Sequence, residues 1–101
     1  MFSKTGDTVV ISTSNVSANS AITASGTGQS YVLKVINQST VTAYVKLATS
    51  AGPVATTVDH PIEGEGVDYI PINDTITHIG VILGGAVTGT LSVATGVLSN
   101  A

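Results

Sequence analysis

An all-β fold is predicted for this chain: a single antiparallel β-sandwich domain over residues 1–101, expected as a jelly roll of seven to eight short strands. Three observations predict it. Val and Thr are the commonest residues and Ile is abundant; these β-branched side chains suit a pleated surface and lose rotamer freedom in a helix. Apolar residues alternate with period two in several segments, and no window of a dozen residues shows an i, i+3, i+4 stripe. Turn-forming Gly, Pro, Asn and Ser recur every eight to twelve residues, the spacing of a sandwich or barrel. No internal repeat and no second domain is visible.

The first strand is expected at Thr8–Thr13, "TVVIST". Residues 1–8 ahead of it are a candidate N-terminal arm that orders on assembly, with Phe2 as its one large anchor. "SNVSANSAITASGTGQ" reads as a loop of small polar residues holding a short strand around Ala21–Ala24. "SYVLKVIN" sets Tyr31, Leu33 and Val35 on one face against Val32, Lys34 and Ile36. "VTAYVKLAT" sets Val41, Ala43, Val45 and Leu47 against Thr42, Tyr44 and Lys46. The short link "NQST" predicts that these two strands form a hairpin. "SAGP" at Ser50–Pro53 is a break, and "VATTV" after it is a candidate short strand.

"DHPIEGEGVD" follows at 59–68, with Pro61, Gly64 and Gly66 interrupting regular pairing. "VDYIPI" is a strand closed by the turn "PIND". "ITHIGVIL" is apolar on both faces except at Thr77 and His78, as expected of a central or partner-covered strand. Gly84–Gly85 is a turn. "AVTGTLSVAT" alternates Val87, Gly89, Leu91 and Val93 against Thr88, Thr90, Ser92 and Ala94, and "GVLSNA" reads as a tail.

Composition excludes several function classes. Only 9% of residues are charged while 43% are hydrophobic, against the roughly 25–35% charge usual on a soluble surface. A chain of this kind suits an oligomer or a part of a larger assembly, whose contact surfaces are depleted in charge. The basic residues are Lys4, Lys34 and Lys46, with no arginine; that is too small a footprint for nucleic acid or for a polybasic membrane anchor. No apolar run reaches the length of a membrane span, and the first residues lack the apolar core of a signal peptide. A soluble protein made in the cytoplasm without export is expected. The absence of cysteine removes disulfides, thiolate metal sites and cysteine nucleophiles.

The acidic stretch is the most site-like feature. Asp59, Glu63, Glu65 and Asp68 are four of the chain's six acidic residues, and His60 sits among them. They could supply oxygen ligands to a cation such as calcium, although their spacing is not that of a helix–loop–helix calcium loop. The preferred reading is a solvated turn that keeps a sheet edge soluble. Zinc would need both His60 and His78 plus carboxylates from distant strands. No nucleophile elbow, phosphate loop or carboxylate pair with a Trp platform is present, so no enzyme, no catalytic residue and no cofactor is expected. The sequons at Asn15, Asn37 and Asn73 are read as chance in a Ser/Thr-rich chain. Phe2, Val9, Ile11, Tyr44, His78 and Ile82 are the candidate partner-interface residues.

Four segments, "NQSTVTAYVKLAT", "ATTVDHPIEGEGVDYI", "IPINDTITHIGVI" and "GTLSVATG", together with the leading "VVISTSNVSANSAI", resemble small virion proteins of tailed phages, the capsid decoration or cement proteins. The resemblance covers nearly the whole chain through loose patterns of strands and turns. It implies a sandwich or jelly roll on the outer capsid surface, present as a homo-oligomer (a trimer preferred, a dimer possible) that bridges copies of the major capsid protein. It carries over no catalytic residue. The chain departs from the usual pattern in its "EGEG" turn and low charge. The alternative is a β-sandwich binding module of a virion, for glycan or a host surface, or a head–tail or fibre-base component.

Overall fold

A computed structural model describes residues 2–22, 31–72 and 75–98 of the chain, with side chains for 8–22, 31–72 and 75–97. Among these residues there is no helix. Eight strands follow one another: β1 Phe2–Thr13, β2 Ala18–Ala21, β3 Tyr31–Asn37, β4 Ala43–Ala48, β5 His60–Ile62, β6 Val67–Ile72, β7 His78–Leu83 and β8 Gly89–Leu98. They form two four-stranded antiparallel sheets, with order β1-β8-β3-β6 in the first and β2-β7-β4-β5 in the second. The protein is an all-β antiparallel sandwich.

The pairings nest. β1 pairs β8, β2 pairs β7, β3 pairs β6 and β4 pairs β5, the four pairs falling alternately in the two sheets. One long antiparallel ribbon, folded at its middle between β4 and β5 and then wrapped, produces this order. Every link between consecutive strands except the one from β4 to β5 therefore crosses from one sheet to the other.

Period-two patterning decides which face each strand buries. In β3 the pattern of buried and half-buried residues alternates without exception, with Tyr31, Leu33, Val35 and Asn37 inward. Ala43 and Val45 of β4, and Leu91, Val93 and Thr95 of β8, do the same. β7 lies between β2 and β4, and Ile79, Val81 and Leu83 of its inner face are essentially inaccessible. These side chains join Ile11, Ile22, Ile62 and Ile72 in one core fed by both sheets. Burying each Leu, Ile or Val there contributes about 1.5–3 kcal/mol. Among the core's polar members, no hydrogen-bond partner is found for the Tyr31 hydroxyl or for Thr13 Oγ1.

Several expectations are corrected. β3 and β4 are not a hairpin: β3 pairs with β6 and β8, while β4 lies in the other sheet with β5 and β7. "VATTV" is not a strand; residues 54–58 are irregular and end in a turn. The short strand expected near Ala21–Ala24 lies earlier, at Ala18–Ala21, and residues 23 and 24 fall outside the described residues. The turn expected at "PIND" includes Asn73 and Asp74, which also lie outside them. The segment expected as an N-terminal arm is strand-paired, Phe2, Ser3 and Lys4 standing opposite Leu98, Val97 and Gly96, with a register shift between Lys4 and Thr8. The expected tail correspondingly extends β8 through Gly96–Leu98. Each end of the chain supplies the other's ladder partner, a relation that no local pattern encodes.

Candidate functional site

The acidic stretch divides into a strand, a turn and a second strand. His60–Ile62 is β5 at the edge of one sheet, and Val67 begins β6 at the edge of the other. The turn between them crosses the end of the sandwich. Gly66 N–H donates to Glu63 O at 3.0 Å, and Glu65 takes the left-handed conformation with φ of 60°. The turn docks on the β3–β4 link: Glu65 N–H donates to Ser39 O at 2.9 Å, and Asn37 N–H donates to Gly66 O at 2.9 Å. Approach is so close that a Cβ on Gly64 would stand 2.6 Å from Thr40 O, so only glycine fits.

Asn37 holds this corner together. Its Nδ2 lies 2.9 Å from Val41 O, 3.0 Å from Ile62 O and 3.1 Å from Glu63 O, two hydrogens serving three carbonyls. Its Oδ1 accepts from Ser39 N–H at 3.0 Å and from Ser39 Oγ–H at 2.7 Å. The residue is 1% exposed and its amide is fully used. From the sequence, Asn37 is expected only as the end of a strand before a turn and as part of a chance sequon. Its signal was present, since an Asn continues the inward set Tyr31, Leu33 and Val35, and a buried amide demands partners.

The four carboxylates do not converge. Asp59 Oδ2 accepts from Thr56 N–H at 2.7 Å and closes its own turn. Asp68 uses Oδ1 on Tyr69 N–H at 2.8 Å and Oδ2 on His60 Nε2 at 2.6 Å. Glu63 and Glu65 are exposed at the turn. Among the described residues, no group of three or more His, Cys, Asp or Glu side chains is placed to hold a metal ion. His60 and Asp68 instead link the two edge strands across the open side of the sandwich, a half-exposed contact worth at most about 1 kcal/mol. A groove of about 340 Å³ adjoins it, lined by Thr42, Pro61, Ile62, Glu63, Gly66, Val67 and Asp68.

The six expected interface residues are scattered. Ile11 is buried in the core and Val9 is half-buried against it, both on the inner face of β1. Ile11 is thereby corrected from interface to core: inward positions of β1 alternate with its exposed Thr8, Val10 and Ser12. Phe2 lies in β1 opposite Leu98. Tyr44, His78 and Ile82 are half-buried on the outside of the second sheet, His78 Nδ1 lying 2.8 Å from Thr77 Oγ1. That outer face is partly covered by the chain's own link between β4 and β5. Buried Pro53 lies over Gly80, where an added Cβ would stand 2.8 Å from Pro53 O, and Ala55 N–H donates to Ser17 Oγ at 2.9 Å.

The outside of the first sheet is different. Its register aligns Val10, Ser92, Ile36 and Val67 in one row across β1, β8, β3 and β6. The next row is Thr8, Ala94, Lys34 and Tyr69, and a third holds Lys4, Gly96, Val32 and Pro71. Val10 is 62% exposed, Val67 51% and Tyr69 44%. Strand spacing and rise give three such rows a projected area of roughly 400 Å², polar and apolar residues together. Lys4 and Lys34 are the charged residues at these register positions. Of the two faces of "SYVLKVIN", the one with Tyr31, Leu33 and Val35 is the buried one.

Comparison with protein-family models, with curated proteins and with solved structures finds no match to the chain.

Proposed function

We propose that this chain is a structural virion protein, a capsid decoration or cement protein that binds the outer surface of a phage shell and stabilises it by bridging copies of the major capsid protein. The observation that carries the reading is the outside of the first sheet: a four-stranded surface with Val10, Val67 and Tyr69 exposed, on a chain with very little charge. The nested strand order supports it, since we read that winding as a jelly roll, an architecture used by viral capsid domains. Clamping a shell requires many copies of a modest contact, because multivalency turns weak single contacts into avidity. On this reading the protein is non-catalytic, needs no cofactor, and works as a homo-oligomer on the virion surface.

The test is binding to shells of the encoding phage purified without this protein. Addition is expected to raise their melting temperature. Val67→Asp and Tyr69→Asp should weaken binding tenfold or more, as loss of a central contact worth about 1.4 kcal/mol does, while leaving the free protein folded. Shells that neither bind nor gain stability would refute the proposal.

A second reading rests on the groove beside His60 and Asp68, whose mixed polar and apolar lining suits a small polar ligand. It makes the chain a glycan- or host-surface-binding module of a virion. Ligand-dependent NMR shifts confined to Thr42, Glu63 and Val67 would favour it over the first.

A further inference from the structure

We propose that two copies of this chain pair edge to edge through β1, with Val10 on the two-fold axis, joining their first sheets into one eight-stranded sheet. The four edge strands differ in how they are protected. β2 has four residues, and β5 has three with Pro61 among them. β6 carries Pro71, and its Asp68 is tied across to His60. Shortness, proline and charge are devices that keep edges from pairing. β1 has twelve residues. Its register shift lies between Lys4 and Thr8, so Thr8–Thr13 is regular and contains no proline, glycine or charge. Among the described residues β1 pairs only with β8.

The residues select a second copy as the occupant. Residues directly opposite in an antiparallel ladder share a face. Inward Val9 and Ile11 must therefore meet inward residues, and outward Val10 an outward one. Centring the two-fold on Val10 satisfies this: Val10 meets Val10 of the second copy, Val9 meets its Ile11, and Thr8 meets its Ser12. Centring on Val9 would set Asp7 against Ile11, where the Val10 register sets it against Thr13, and centring on Ile11 would keep one apolar pair, Ile11–Ile11, beside Val10–Ser12 and Val9–Thr13. No like charges meet in the Val10 register. The joined sheets would present the two outer apolar faces side by side, doubling the surface for a partner.

A ladder this short buries less than the roughly 800 Å² per partner of a standard interface, so the dimer should be weak, with a Kd of roughly 10–1,000 µM. This inference concerns the free protein and stands apart from the capsid reading, because its test uses no shell. Sedimentation equilibrium to about 1 mM, within the concentrations where such an affinity is visible, is expected to show a monomer–dimer equilibrium. Val10→Lys and Val10→Glu should each be monomeric, and their mixture should regain the dimer. The chain has no native cysteine, so Val10→Cys should cross-link under oxidation, Thr8→Cys alone should not, and Thr8→Cys mixed with Ser12→Cys should. Circular dichroism checks that each variant is folded; Val10 is exposed enough to tolerate replacement. A monomeric wild type overturns the proposal, as does a Val10→Lys dimer of wild-type affinity. Cross-linking through Thr8→Cys alone, with none through Val10→Cys, overturns the register.

Discussion

Replacing Asn37 tests what holds the sandwich closed at its acidic end. In Asn37→Ala, the Ser39 hydroxyl keeps its bond to Val41 O at 2.9 Å, and the carbonyls of Val41 and Glu63 are reached through part-buried bonds that water can replace. Two groups are left without partners in dry surroundings: Ile62 O and Ser39 N–H, whose bonds to Asn37 are buried. Each such orphan costs about 1–3 kcal/mol, giving roughly 2–6 kcal/mol in total. That is a large part of the roughly 5–15 kcal/mol that stabilises a domain. At about 4–8 °C per kcal/mol for a domain of this size, the melting temperature should fall by about 8 °C or more. Urea unfolding followed by far-UV circular dichroism measures the change directly, since the chain has no Trp. The isosteric Asn37→Asp is the sharper variant. It keeps the acceptor for Ser39 but turns a carboxylate toward three carbonyl oxygens, which favours its protonated form in the fold. A folded pKa raised above the unfolded value of about 3.9 means that stability is lost as pH rises through the folded value. Asn37→Asp should therefore be badly destabilised at pH 7 and lie closer to wild type at the acid end. A loss below about 1 kcal/mol in Asn37→Ala, or an Asn37→Asp protein equal to wild type at pH 7, would refute this account of a buried amide held by its partners.

Other outcomes follow from single contacts. Tyr31→Phe removes a buried hydroxyl without a hydrogen-bond partner and should be neutral or stabilising by up to about 1 kcal/mol in thermal unfolding; a clear loss would mean that the hydroxyl is bonded. Glu65→Gly relieves a side chain held at φ 60° and should raise stability by about 0.5–1 kcal/mol, net of glycine's entropy in the unfolded chain. Gly80→Ala forces a Cβ against Pro53 O and should cost about 1–3 kcal/mol. It should also speed hydrogen exchange at the Ala55 amide, as Ser17→Ala should by removing that amide's acceptor. Calcium or a chelator should shift the melting temperature by less than about 1 °C at millimolar concentration, because the carboxylates do not share a site and binding stabilises only as RT ln(1 + [L]/Kd).

Faces were readable wherever a strand alternates cleanly. The inward sets of β3, β4 and β8 follow the residue pattern, and β7 was recognisable as central because its outer positions His78, Gly80 and Ile82 interrupt its apolar character only at His78. The acidic stretch was legible as a turn at the end of the sandwich, and its Pro61, Gly64 and Gly66 were the reason. Its strand β5 was missed, since three residues including a proline carry almost no periodic signal. The interface residues were the least legible. Val9 and Val10 are both apolar neighbours in a strand, and only one of them faces out. Sequence alternation names two faces without saying which is covered.

Local chemistry alone determined that this chain is all-β, poor in charge, lacking thiols and arginine, and built from strands whose two faces differ. Those properties depend on side-chain shape and on neighbours one or two residues away. Tertiary structure decided what each strand pairs with and what each face meets. "NQST" is as short as a hairpin loop, yet it carries the chain between sheets, because buried Asn37 finds its carbonyls at Ile62 and Glu63. β1 meets β8 from the far end of the chain. The link after β4 lies over the outer face of the second sheet. Such choices are made by contacts between residues tens of positions apart, where loop closure must be offset by burial and hydrogen bonding that exist only in the assembled sandwich.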